Sequence, residues 1–183
     1  MKCNGRMRKT TLFIATSLDG YIADSNKSVS WIAGQNESED MPDTYSGFIQ
    51  DIDTVIMGRN TYRQIVTELS PEEWPYANMQ TYVMTHQTGY ADAPNIQFLN
   101  ADLCAFIEGL KQKDGKGIWI CGGTDIVNQL IKKDLIDIFH ITVTPIILGG
   151  GTRLFEEPTN PIKLKLVQTQ HYNGFVEMIY EHR

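Results

Sequence analysis

Short apolar runs punctuate the chain at residues 11–15, 55–57, 81–84, 96–99 and 118–121. Runs this short, with no polar alternation inside them, are the pattern of strands buried on both faces. Between them the apolar positions change to three- and four-residue steps. Tyr45, Phe48, Ile49 and Ile52 share one helical face, and Glu37, Glu39, Asp40 and Asp43 precede them where acids suit a helix start, so a helix is expected over residues 37–51. A second follows Gly58 and ends before Pro71. A third carries Leu103, Phe106, Ile107 and Leu110 and stops at Asp114-Gly115, and a fourth carries Ile126, Val127, Leu130 and Ile131. Residues 136–143 read as a long strand. Residues 164–170 and 175–180 alternate around Asn173-Gly174, a strong hairpin signal. Strands alternating with helices and closed by a hairpin define an α/β fold: a mainly parallel central sheet, an antiparallel C-terminal hairpin and helices on both faces. The expected organisation is one domain over residues 1–183 with a core of about 10–181.

Two of these runs end in glycine and open directly into a helix. Gly58 is followed by Arg59, Asn60 and Thr61; Gly122-Gly123 by Thr124 and Asp125. A helix start leaves backbone N–H groups without carbonyl partners, and in a parallel sheet both starts lie at strand carboxyl ends, where ligands bind. Arg59 adds a planar fork of donors that matches phosphate. Taken singly, each junction also reads as an ordinary turn with a solvated surface charge. Two on one edge suit a molecule with separated phosphates, such as a dinucleotide bearing a 2′-phosphate. Thr85, at a third strand end, offers a hydroxyl, and His86 follows it. Neither the dinucleotide fingerprint GxGxxG nor the triphosphate loop GxxxxGK[ST] is present. Residues 24–35 are small and polar apart from Trp31, and read as a mobile loop anchored by that ring, although Trp31 also reads as core. Gly149, Gly150 and Gly151 either wrap an anion or only turn the chain. His140, inside an apolar strand, reads as a satisfied core histidine.

Composition narrows the field. The net charge of −6 and pI near 5.2 argue against a general nucleic-acid binder, which needs clustered Lys and Arg, but not against a local basic pocket. Cys3, Cys104 and Cys121 are scattered and odd in number, so no structural metal centre or disulfide framework is expected, and a reducing compartment fits. Residues 12–15, behind four basic residues, are too short for a secretory signal, and no run approaches membrane-spanning length. The expectation is a cytoplasmic protein that engages neither membrane nor nucleic acid.

The segment Val55-Ile56-Met57-Gly58-Arg59-Asn60-Thr61-Tyr62 resembles the cofactor segment of dihydrofolate reductase. The wider order, with Ser17-Leu18-Asp19-Gly20-Tyr21-Ile22-Ala23, Gly122-Gly123-Thr124 and Leu148-Gly149-Gly150-Gly151-Thr152, is closer to the related RibD C-terminal family, the reductase of riboflavin biosynthesis. The resemblance spans residues 10–181 and implies a dihydrofolate reductase-like three-layer fold, NADPH as cofactor and hydride transfer. It implies that Ala15 and Ile22 meet the nicotinamide carboxamide. It places Arg59 and Thr85 at the 2′-phosphate, with Asn60 and His86 beside them, and Gly58, Thr61, Gly122, Gly123, Thr124 and Asp125 around the pyrophosphate. It also implies a cis peptide at Gly122-Gly123 and a homodimer, for which residues 136–143 and the last strands offer surface.

The departure from dihydrofolate reductase lies in its substrate acid, four residues before a Phe. Counting back from Phe48 gives Thr44; the nearest acid, Asp43, is one residue off, about 100° around a helix. Asp43 is therefore carried as the catalytic candidate with an equally plain role as a helix-start acid, and Trp31 and Phe48 as substrate contacts. The favoured function is an NADPH-dependent reductase of a pyrimidine-ribose, resembling 5-amino-6-(5-phosphoribosylamino)uracil reductase, or of a similar small heterocycle. Reduction of a pterin is one alternative. A nucleotide-binding protein without catalysis is another.

Overall fold

The computed structural model describes residues 7–36, 42–156 and 160–183. β1 (Thr10–Ser17) turns through Gly20 into β2 (Tyr21–Ala23); a loop then leads to α1 (Thr44–Ile49) and β3 (Ile52–Gly58). α2 (Arg59–Gln64) widens into a π turn (Ile65–Leu69) before β4 (Gln80–Met84) and β5 (Ile96–Leu99). α3 (Leu103–Lys111), β6 (Gly117–Gly122), α4 (Thr124–Ile131) and β7 (Ile138–Thr144) follow, then β8 (Thr152–Arg153), β9 (Leu164–Tyr172) and β10 (Phe175–His182). Eight strands form one sheet in the order β5-β4-β3-β6-β1-β7-β10-β9; β2 and β8 pair separately. The pairings from β5 to β7 are parallel, and β10 joins β7 and β9 antiparallel.

The continuous apolar runs are explained by helices and loops covering both faces. Ile56, Ile118 and Ile120 face α3 and α4 together with Ile107, Val127 and Leu130; Val55, Met57, Val83 and Trp119 face the opposite way. Each alternate residue thus meets a different core. The Asn173-Gly174 turn has positive φ at both residues (41° and 81°), the two-residue hairpin geometry that matches strand twist.

Two expectations are corrected. Among the described residues the helix expected over 37–51 is limited to α1; Ile52, counted on its face, is the first residue of β3, and residues 37–41 lie outside the described residues. The strand expected from Ile136 starts at Ile138, after a turn in which Asp134 takes φ 57°. It lies between β1 and β10, so its edges are already paired; the open edge of the sheet on that side is β9. Among the described residues, no helix is long and apolar enough to cross a membrane.

Candidate functional site: a glycine cradle and an aromatic cleft

β3 and β6 are neighbours, so their two glycine ends lie side by side (Met57 pairs with Gly122). A Cβ built on Gly58 would stand 3.9 Å from the Gly123 amide nitrogen, and one built on Gly123 would meet Thr61 Oγ1 at 3.6 Å. Both glycines therefore border a single cradle whose floor is Thr61. Gly122 has φ +123°, which few other residues adopt, and the Gly122–Gly123 peptide is cis, as the resemblance implied. Among the described residues no side chain caps α2 or α4, so their first-turn amides are left for an outside acceptor. Open space beside two glycines, free amides and a hydroxyl fit a phosphate chain.

Arg59 stands half-buried at one end of the cradle. Its Nη1 donates to Gln87 Oε1 and its Nη2 to Asn60 Oδ1, both at 3.1 Å and both near the surface. Gly58 pairs with Met84, which places Thr85 at the neighbouring strand end; its Oγ1 accepts from the Gln87 amide at 3.1 Å. His86 is exposed and contacts Asn100 Oδ1 through Nδ1 at 3.0 Å. Asp125 is exposed on the first turn of α4. The Thr124 hydroxyl is already given to the Arg153 carbonyl at 2.6 Å, so Thr124 can offer a phosphate only its amide. That bond brings the β8 backbone to the start of α4, while the Arg153 guanidinium lies 4.8 Å from the Tyr21 ring centre, a cation that no sequence motif marked.

A cleft of about 540 Å³ is lined in part by Ala15. Phe13, Ala15, Tyr45 and Phe175 form its apolar walls, with Ile32, Ala33 and Gly34 at the loop side. Thr44, Thr142, Tyr172, Asn36 and Asn173 supply its polar atoms. The hairpin tip fixes the loop: Asn173 Oδ1 accepts from the Asn36 amide at 2.8 Å and its Nδ2 donates to the Asn36 carbonyl at 2.9 Å. A second hollow of about 580 Å³ lies against Ser70, Pro71, Glu72 and Glu73, residues of a single surface turn with no convergent chemistry.

Behind the cleft lies a buried polar network. Glu177 on β10 is 3 % exposed. Its carboxylate accepts from Tyr172 Oη at 2.8 Å and Gln170 Nε2 at 2.8 Å, and pairs with His140 Nε2 at 2.7 Å. Burial opposes ionisation of Glu177, but the bonds from His140, Tyr172 and Gln170 outweigh it and hold the carboxyl below its ordinary value. Burial, then the bond to Glu177, raises Tyr172 above the usual phenol range, and the Thr44 and Thr142 hydroxyls approach the same oxygen.

The RibD C-terminal domain family matches residues 8–176, and the chain belongs to it. It is a family of NADPH-dependent reductase domains with the dihydrofolate reductase fold. The chain is 42% identical over 174 residues to the uncharacterized protein YwjB of Bacillus subtilis (strain 168), covering 94% of this chain and 97% of that one. It matches the crystal structure of a protein from Shewanella sp. PV-4 provisionally assigned to riboflavin biosynthesis, with TM-score 0.82, 27% identity and coverage of 96% and 99%. It also matches Enterococcus faecalis dihydrofolate reductase complexed with NADP(H) and RAB-propyl, with TM-score 0.65, 18% identity and coverage of 95% and 96%, a likeness of fold.

Several expected site residues fall together: Gly58, Thr61, Gly122, Gly123 and Thr124 around the cradle, Arg59, Asn60 and Thr85 at one end of it, Ala15 in the cleft wall. Ile22 is half-buried against the core below. The expected substrate contacts fall otherwise. Phe48 stacks flat on Phe13 (centroids 4.3 Å, 11°), behind the wall rather than in it. Trp31 donates from Nε1 to the Ser28 carbonyl at 3.0 Å and holds its own loop; the cleft is met by the next residues, Ile32 and Ala33. Asp43 is exposed and caps α1, accepting from the Ser46 amide at 2.9 Å; the Ser46 hydroxyl, then that amide, lowers its pKa. The residue that lines the cleft is Thr44.

Proposed function

We propose that this protein is an NADPH-dependent reductase that delivers hydride to a small flat heterocycle. The single cradle formed by Gly58, Thr61 and Gly123 supports this reading, because it fits a phosphate chain and lies between Arg59, next to Gly58 in the chain, and Ile14, whose side chain approaches Gly122 one residue before Ala15. When bound, NADPH would supply the hydride. Gly58, Gly123 and Thr61 would hold the pyrophosphate, Arg59 and Thr85 the 2′-phosphate, and the backbone at Ala15 and Ile22 the nicotinamide amide. Phe13, Tyr45 and Phe175 would stack and orient the substrate ring and keep water from it.

Of the substrates expected from the sequence, a pterin fits less well, because Thr44 stands where its carboxylate would be needed. The reading carried forward from 5-amino-6-(5-phosphoribosylamino)uracil is the heterocycle. A protein that binds the nucleotide without reducing anything would bind NADPH equally well. NADPH titration by fluorescence, followed by NADPH oxidation against pyrimidine and pterin substrates, tests the proposal. No NADPH binding refutes it; binding with no oxidation of any heterocycle favours the non-catalytic protein. A homodimer remains proposed, at the open β9 edge where Leu166 and Val167 are about half exposed, and sedimentation velocity tests it.

A further inference from the structure

We propose that the cleft selects a heterocycle without a phosphate, and that Tyr172, held by Glu177 and His140, accepts a hydrogen bond from an N–H on its edge. The proposal rests on the reductase reading and names its substrate class.

A phosphate finds no charged partner among the residues that line the cleft. Among the described residues no Lys, Arg or His lines the cleft. A phosphate group there would be stripped of water with no cation to compensate, which is costly. The glycine turn that could have wrapped an anion is already occupied: the amides of Leu148 and Gly149 donate to the Asp19 carboxylate at 3.1 and 2.8 Å. That turn therefore presents a negative charge.

The network behind the wall favours an N–H edge. The Tyr172 proton is committed to an ionised Glu177, so the phenol oxygen is left to accept, from the Thr44 and Thr142 hydroxyls that approach it or from a ligand N–H that displaces them. The carboxylate behind it makes that oxygen a stronger acceptor. Glu177 is itself fixed from two further sides by Gln170 and His140, and the Phe13 and Phe48 rings pack edge-on against the His140 ring (4.5 and 6.1 Å). Three polar side chains are thus spent on one oxygen of the cleft wall. Thr44 and Thr142 approach the same oxygen, so this acceptor stands at the corner where an α1 carboxylate would otherwise project. It would do a carboxylate's recognition work from the opposite wall.

Calorimetric titrations with two matched pairs, 2,4-diaminopyrimidine against pyrimidine and uridine 5′-monophosphate against uridine, test this in the presence and absence of NADPH. The expected result is binding of 2,4-diaminopyrimidine at least ~10-fold tighter than pyrimidine, with no gain from the phosphate of the second pair. Tyr172→Phe, which keeps the ring and the packing, should erase the first difference, and Glu177→Gln should reduce it, with NADPH affinity unchanged in both. Equal binding of the first pair, an unchanged preference in Tyr172→Phe, or a phosphate gain of tenfold or more each overturns the proposal. Absent NADPH binding would instead refute the reductase reading, while the ring preferences measured without NADPH still decide this one.

Discussion

Arg59→Ala should separate NADPH from NADH. In the protein alone the guanidinium makes two neutral contacts at 3.1 Å, to Gln87 Oε1 and Asn60 Oδ1, both on exposed residues that water can satisfy. Exchanging those for a 2′-phosphate gains a charge-assisted pair, and a hydrogen bond to a charged group contributes about 1.5–3 kcal/mol. At about 1.4 kcal/mol per tenfold, that range spans roughly 10- to 150-fold in affinity. Arg59 is only half-buried and the contacts it gives up have some worth, so the lower end is expected, about 10- to 30-fold. NADH has no phosphate at this position and should lose less than about twofold by the same reasoning. The difference should shrink as salt rises, because charges near solvent are screened within about 10 Å at 0.1 M. Dissociation constants for both nucleotides, wild type and variant, at two salt concentrations provide the assay. Equal losses for NADPH and NADH would refute the reasoning and make Arg59 a support of the strand end.

Gly123→Val should abolish NADPH binding in a protein that still melts cooperatively, because its Cβ meets only Thr61 Oγ1 at an ordinary 3.6 Å and otherwise enters the cradle; unchanged NADPH affinity would remove the junction from the site. Asp43→Asn should keep most activity, since Asn also caps helices and the carboxylate is directed to Ser46; a loss of about 10²–10⁴-fold would mark it as a catalytic acid. The Ser17 hydroxyl, then the Leu148 and Gly149 amides, hold Asp19 down to about 2, from an ordinary 3.8. A carboxyl with a lowered folded pKa stabilises above its unfolded value, and that stability is lost as pH falls from about 4 to 2. Acid unfolding should therefore show Asp19→Asn less stable than wild type at neutral pH, with the two curves converging near pH 2; a constant gap across that range would refute the linkage.

The strands that could be read directly were those with a helix or loop on each face, where the backbone hides every side chain and the run of Val55, Ile56 and Met57 has no polar break. The cradle was legible for a related reason: glycine followed by a helix start is written in adjacent residues, so Gly58 with Thr61 and Gly123 with Thr124 needed no long-range information. Helix α1 was not legible at its ends. Tyr45, Phe48, Ile49 and Ile52 keep a helical step, yet Ile52 enters the same core as the first residue of β3, and spacing alone cannot separate the two.

The substrate side was obscured for a different reason. Its polar corner joins β7 to β10 across 37 residues, and no local pattern links His140 to Glu177. One signal was present. Phe175 and Glu177 share the inward parity of β10, and both are 3 % exposed, while Val176 between them is 41 % exposed. A carboxylate forced inward by strand parity must find partners or lose its charge. The strand beside it carried a histidine at an inward position of its own, 8 % exposed. Reading both departures as one requirement would have located the pair from sequence. It would also have directed attention away from the helix that carries Asp43 and toward the hairpin, where Tyr172 stands between that buried charge and the cleft.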